Sequence, residues 1–113
     1  MRWLLRSKIH KAKVTEANLN YNGSITIDED LMEKVDFWLG EKVLVVSNTT
    51  GIRLETYVIK GKRGSGIICM NGAAAHLIKK SEELIIMGFE MLKRPIVPKI
   101  ILVDENNKFV KYI

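Results

Sequence analysis

The decapeptide LNYNGSITID, residues 19–28, sets a serine directly after a glycine, at Gly23-Ser24, in a segment that reads as two short strands around a tight turn. A serine hydroxyl can attack the carbonyl of the residue before it, converting the amide to an ester by an N-to-O acyl shift. Glycine obstructs that approach least, and a constrained turn assists it. Elimination from the ester would cut the chain and leave dehydroalanine at position 24. Hydrolysis with loss of ammonia would then turn it into a pyruvoyl group. No ordinary side chain carries an electrophilic ketone, so the product would equip the chain for imine chemistry otherwise delegated to a cofactor. The dipeptide alone decides nothing. Asn22-Gly23 is also the strongest short signal for a type I′ hairpin, and Gly64-Ser65 repeats the pair within GKRGSGI.

The scaffold that would have to hold such a bond is small. A chain of 113 residues fits one domain with one core. Its apolar residues make up 47% and only two prolines interrupt them, which excludes a disordered or low-complexity chain. The apolar runs VLVV (43–46) and LIIM (84–87) are far below the roughly 20 residues of a membrane span. Basic residues recur through MRWLLRSKIHKAKV and leave no signal-peptide core. A cytoplasmic protein without a membrane partner is the expectation. The single cysteine, Cys69, excludes an internal disulfide and reads as a buried thiol in GIICM. No His, Cys, Asp or Glu spacing suggests a metal.

The net charge of +5 admits a second reading, a basic β-barrel that binds nucleic acid or protein and is never processed. Arg2, Arg6, Lys8, Lys11 and Lys13 form an acid-free start, but Asp28, Glu29, Asp30, Glu33, Asp36 and Glu41 follow closely, as on a solvated surface. The aromatics are scattered rather than interleaved with basic residues, so no nucleic-acid partner is expected.

Strand character fills most of the chain: RSKIHKAKVT, SITI, EKVLVVSN, RLETYVIK, GIICM, ELIIMGFEM, KIILVD and KFVKYI, about eight short strands in all. DEDLMEKVDFWL (28–39) reads as a helix with Asp28 as its cap and Gly40 as its stop, and GAAAHLIKK as a short helical turn. Many short strands and few helices point to a nearly closed β-barrel, since closure removes exposed edges. Apolar positions on both faces of several strands add the expectation of an oligomer.

Three words then fall together: KIHKAKVTEANLNYNGSITID (8–28), RLETYVI (53–59) and RGSGIICMNGAAAHL (63–77). In combination they closely resemble the pyruvoyl-dependent aspartate decarboxylases, which make β-alanine for pantothenate and coenzyme A. The likeness runs in order over about residues 1 to 90, and the tail from 91 matches only loosely. The resemblance implies a double-psi β-barrel assembled as a homotetramer with sites between neighbouring subunits. It implies self-cleavage into residues 1–23 and 24–113, with Ser24 becoming the pyruvoyl group that takes L-aspartate through a Schiff base.

The same resemblance distributes roles. Arg53 pairs with a substrate carboxylate, where a planar fork suits a bidentate contact, and Lys8 is a second carboxylate ligand. Tyr57 returns the proton after carbon dioxide leaves, because a phenol stays protonated at neutral pH. Thr56 lies beside the scissile bond as an oxyanion and substrate contact. Asn71, Gly72, Ala73 and Ala74 form a small-residue loop that admits backbone N–H groups to substrate, while His10 and Tyr21 support the turn. Asn22 departs from the family's acidic residue before the glycine, which bears on the ease of cleavage, and some members use an accessory maturation factor. In a regular strand Arg53, Glu55 and Tyr57 face one side and Thr56 the other, so a bulge or a crossing of strands or subunits is expected there.

Overall fold

Alternating apolar residues organise the chain into strands whose inner faces share one core. The computed structural model describes residues 1–113. In chain order it contains β1 (Arg2–Lys13), β2 (Glu16–Asn18), β3 (Ser24–Asp28), α1 (Glu29–Val35), β4 (Lys42–Ser47), β5 (Arg53–Gly61), β6 (Ile68–Asn71), α2 (Ala74–Leu77), β7 (Glu83–Leu92), β8 (Lys99–Val103) and β9 (Phe109–Tyr112). Strand neighbours run β2-β6-β3-β5-β4-β7-β1-β8-β9. The pairs β1/β8, β2/β6 and β3/β5 are parallel and the others antiparallel. Ile9, Ile25, Ile27, Val45, Val58, Ile68, Met70, Leu84, Ile86 and Ile101 are fully buried on the inner faces. Each such side chain is worth about 1.5–3 kcal/mol against exposure.

The segment around the Gly23-Ser24 bond departs from the hairpin expectation. Strands β2 and β3 do not pair with each other. Strand β6 lies between them, parallel to β2 and antiparallel to β3. Neither Asn22 nor Gly23 has a positive φ, so the type I′ turn is absent. All four residues of β6 are buried, and its burial between β2 and β3 outweighs the local turn preference. The strand before the turn is β2, which ends at Asn18 rather than running through Leu19–Tyr21.

Helix α1 begins as expected: the Asp28 carboxylate accepts from the Asp30 N–H at 2.8 Å and buries Leu31, Met32 and Val35. Such a cap contributes about 1 kcal/mol. It ends earlier than Gly40, at Asp36, whose φ of 61° turns the chain into the left-handed region. The buried Asp28 carboxylate also accepts from the Gly64 and Gly66 N–H groups, at 3.0 and 2.8 Å. One side chain thereby caps the helix and pins the loop carrying the second Gly-Ser pair.

The C-terminal strands complete the barrel. β8 runs parallel to β1, and the Thr15 N–H bonds the Ile68 carbonyl at 2.8 Å to carry the chain across to β6. Between β8 and β9, buried Asn107 acts as a backbone substitute. Its Oδ1 accepts from the Lys13 N–H at 2.7 Å, and its Nδ2 donates to the Lys13 and Gly66 carbonyls, both at 2.8 Å. Its φ of 59° is one asparagine tolerates better than most residues. Asn107→Ala strands these backbone groups and is expected to cost about 3 kcal/mol, read as a lowered melting temperature by circular dichroism.

Candidate active site

Ser24 opens β3 and is 1% exposed. Its Oγ accepts from Asn71 Nδ2 at 2.9 Å and donates to the Asn22 carbonyl at 3.4 Å. Ser24 and Asn71 are direct cross-strand partners, so the inserted β6 brings the amide of NGAAAH to the serine of YNGS. The next residue, Gly72, adopts φ +67° and donates its N–H to the Asn18 carbonyl at 2.8 Å. A Cβ there would lie 2.7 Å from the Tyr21 carbonyl oxygen and 2.8 Å from both Gly23 N and Gly23 Cα. Gly72 therefore lies directly against the chain leading to Ser24, where only a residue lacking a side chain fits.

Tyr57 lies on β5, the other strand that pairs with β3. Ile25 pairs with Val58 in the parallel β3/β5 ladder, and both are in the core. Ser24 and Tyr57 each immediately precede a member of that pair in sequence, Ser24 buried and Tyr57 exposed. Strand β5 pairs with β4 through Tyr57 and with β3 from Val58 onward. The β4/β5 register is regular through Tyr57, without a bulge near Thr56. Thr56 is half-buried and pairs with the core residue Val43.

The other residues spread outward. Ala73 is exposed and Ala74 half-buried at the start of α2, which has no side-chain cap. Tyr21 is exposed on the loop before Ser24. Arg53 is exposed on the outward face of β5, four residues or about 13 Å along the strand from Tyr57. Lys8 lies on β1, across a row of partners that runs Lys8, Met87, Leu44, Glu55. The parallel row runs His10, Ile85, Val46, Arg53. Three strand spacings, about 14 Å, separate β1 from β5. A single protomer thus gathers Ser24, Gly23, Asn71 and Gly72, places Tyr57 next to Val58, the ladder partner of Ile25, and leaves Lys8 and His10 apart from Arg53 across half-buried Leu44, Val46, Ile85 and Met87. Burial, reinforced by Lys8 and Lys11 and opposed by Glu83, holds the His10 imidazole below its ordinary range. That environment favours the neutral imidazole.

Gly64-Ser65 lacks these partners. Ser65 Oγ donates to the Lys62 carbonyl at 2.5 Å and accepts from the Ile67 N–H at 3.2 Å. That hydroxyl is committed to closing its own turn. Two partners of Asn71 escaped the sequence reading. Thr26 Oγ1 accepts from Nδ2 at 2.9 Å, and the Cys69 thiol donates to Oδ1 at 3.2 Å. Their trace is the i, i+2 spacing with Ser24 and Asn71 in facing strands.

The family model for aspartate decarboxylase matches residues 1–110. The chain belongs to the aspartate decarboxylase family. Among similar family members, the aspartate 1-decarboxylase of Caldicellulosiruptor saccharolyticus is 57% identical over 96% of this chain and 88% of its own length. That of Bacillus cereus strain G9842 is 51% identical over 99% and 91%, and that of Neisseria meningitidis 52% over 95% and 87%. In three dimensions this family member is similar to the crystal structure of a rationally designed protein, mkDPBB_sym_86, with a TM-score of 0.51 and 15% identity over 68% of this chain and 90% of the other. The fold is the expected double-psi β-barrel. No helix is long and apolar enough to cross a membrane.

Proposed function

We propose that this family member decarboxylates L-aspartate to β-alanine and carbon dioxide, using a pyruvoyl group that it makes from Ser24 by cutting its own Gly23-Ser24 bond. The observation that carries the reading is the buried Ser24 hydroxyl, held by Asn71 beside a segment against which Gly72 leaves no room for a side chain. Those residues fit the group: a reacting hydroxyl with a donor on its oxygen, next to a glycyl carbonyl, at the edge of a rigid strand. The products would be residues 1–23 and 24–113. Thr56, at the partner change of β5, is the proposed contact to the oxygen of the attacked carbonyl. His10 and Tyr21 are proposed supports, and an accessory maturation factor is a proposed aid to cleavage where Asn22 replaces an acidic residue.

When present, the ketone supplies an electrophile for the substrate amine and a sink for the electron pair left at Cα. The chain's own residues then bind, orient and return one proton. Arg53 and Lys8 are the proposed carboxylate partners; both lie outside the ion pairs formed within the protomer. The Ala73 N–H, without a backbone acceptor, adds a donor from the NGAAAH loop. Because Lys8 is remote from Ser24 along the sheet, the site would be completed by a neighbouring subunit in a homotetramer. The apolar outward face of β4 and β7 supports such an assembly.

Intact-mass spectrometry with a β-alanine assay tests the reading. The expected result is two fragments, the larger lighter by one ammonia than a chain starting with serine and resistant to N-terminal sequencing. A lasting full-length mass with no β-alanine overturns it. Tyr57→Phe is expected to leave cleavage intact and to lower kcat by about 100-fold or more, as loss of a proton donor does. Fragment masses and steady-state rates on one sample separate the two effects.

A further inference from the structure

The antiparallel ladder between β3 and β6 pairs Ser24 with Asn71 and Thr26 with Cys69. These four side chains share one face, while Ile25, Ile27, Ile68 and Met70 fill the core from the other. Asn71 uses both ends of its carboxamide there. Nδ2 donates to Ser24 Oγ and to Thr26 Oγ1, each at 2.9 Å, and Oδ1 accepts from the Cys69 thiol at 3.2 Å. A carboxamide can rotate by half a turn with little change in shape but with donor and acceptor exchanged.

We propose that Thr26 and Cys69 are positioning residues for cleavage of the Gly23-Ser24 bond: together they hold the Asn71 carboxamide with its N–H groups, not its carbonyl, toward Ser24 Oγ. The proposal rests on the cleavage reading above. Burial pushes the Cys69 thiol up, most of all, with Glu16 adding to it, so the group keeps its proton and remains a donor to Oδ1. Thr26 Oγ1 takes one N–H and leaves the other for Ser24.

The orientation matters because Ser24 Oγ changes character during the reaction. In the first step Oγ bonds to the Gly23 carbonyl carbon, the bond from that carbon to Ser24 N breaks, and the hydroxyl proton passes to the nitrogen. In the second, a solvent base removes the Ser24 Cα proton, the electron pair forms a Cα–Cβ double bond, and the Cβ–Oγ bond breaks. Oγ then departs as part of the Gly23 carboxylate. A donor aimed at Oγ strengthens as negative charge collects there. A carbonyl in its place would oppose the departure.

The test is a time course of intact mass, with hydroxylamine added to aliquots to split any accumulated ester. Thr26→Val and Cys69→Ala are expected to cleave about 10-fold more slowly than the unaltered chain and to accumulate the ester. Thr26→Ser and Cys69→Ser, which keep a donor–acceptor group, are expected to restore most of the rate. Because Cys69 is the sole cysteine, its S–H infrared stretch can be read directly, and Asn71→Ala should move it to higher frequency. Unchanged cleavage in Thr26→Val and Cys69→Ala overturns the proposal. So does slowing that the serine variants fail to relieve, which would mark a packing role, or an S–H band indifferent to Asn71→Ala. A chain that never cleaves without substitution overturns the cleavage reading itself, and this proposal with it.

Discussion

Ser24→Ala is expected to remain one chain of 113 residues under conditions in which the unaltered protein is cut, and to form no β-alanine. The substitution removes the attacking oxygen and the only precursor of the ketone, so both losses should be complete rather than partial. The fold should survive. Ser24 sits at the first residue of β3, and its hydroxyl makes one good hydrogen bond, to Asn71 at 2.9 Å, and one long one to the Asn22 carbonyl. Removing these costs about 1 kcal/mol, with some added penalty for the unpaired Asn71 donor. A cooperative thermal melt near that of the unaltered chain would show that lost processing is chemical. If the alanine variant still released carbon dioxide from aspartate, the ketone mechanism would be wrong.

Gly72→Ala carries the second large effect, for reasons of space rather than reactivity. The new methyl would meet the Tyr21 carbonyl oxygen at 2.7 Å and the Gly23 backbone at 2.8 Å. These are backbone atoms with no flexible end to swing aside. The φ of +67° adds about 1–2 kcal/mol of left-handed strain for any residue with a Cβ. Relief requires moving residues 21–23, which bear the carbonyl that Ser24 must reach. Cleavage is expected to slow by about 100-fold, since small misplacements of reacting groups have effects of that size. A mass time course at a temperature well below the melting transition separates this from destabilisation. Processing at the unaltered rate would show that residues 21–23 can shift freely without consequence.

How far the site was legible depends on what each residue needed. Ser24 and Tyr57 were singled out through the combined words YNGS, RLETY and NGAAAH and the family they resemble, since neither the Gly-Ser pair nor a strand tyrosine is distinctive alone. The Asp28 cap and α1 were readable from local rules, although Asp36 stopped the helix before Gly40 by adopting a left-handed conformation that asparagine and aspartate tolerate. The neighbours of β3 were not readable. Asn22-Gly23 advertises a hairpin with complete local consistency, yet β6, more than forty positions away, takes the space between β2 and β3. That long-range pairing brings Asn71 and Gly72 to Ser24, and no local window contains it. Thr26 and Cys69 were hidden for the same reason: a threonine and a cysteine in apolar strands look like ordinary strand residues until the register aligns them. The separation of Lys8 from Arg53 likewise follows from strand order, which spacing along one chain does not encode.

The position of β1 has a consequence for the life of the cut protein. The fragment ending at Gly23 would contain β1 and β2, and β1 lies between β7 and β8, inside the sheet order. It cannot peel from an edge. Cleavage would therefore turn a single polymer into an interlocked pair held together without a covalent bond between them. Unfolding such a pair liberates two molecules, so recovery depends on their meeting again and becomes second order in protein. The melting temperature of the cut species should rise more steeply with concentration than that of the uncut precursor, and dilute denatured samples of it should regain the native state less completely. Maturation would then record its own history: a chain that has folded once and been cut is poorly able to do so a second time.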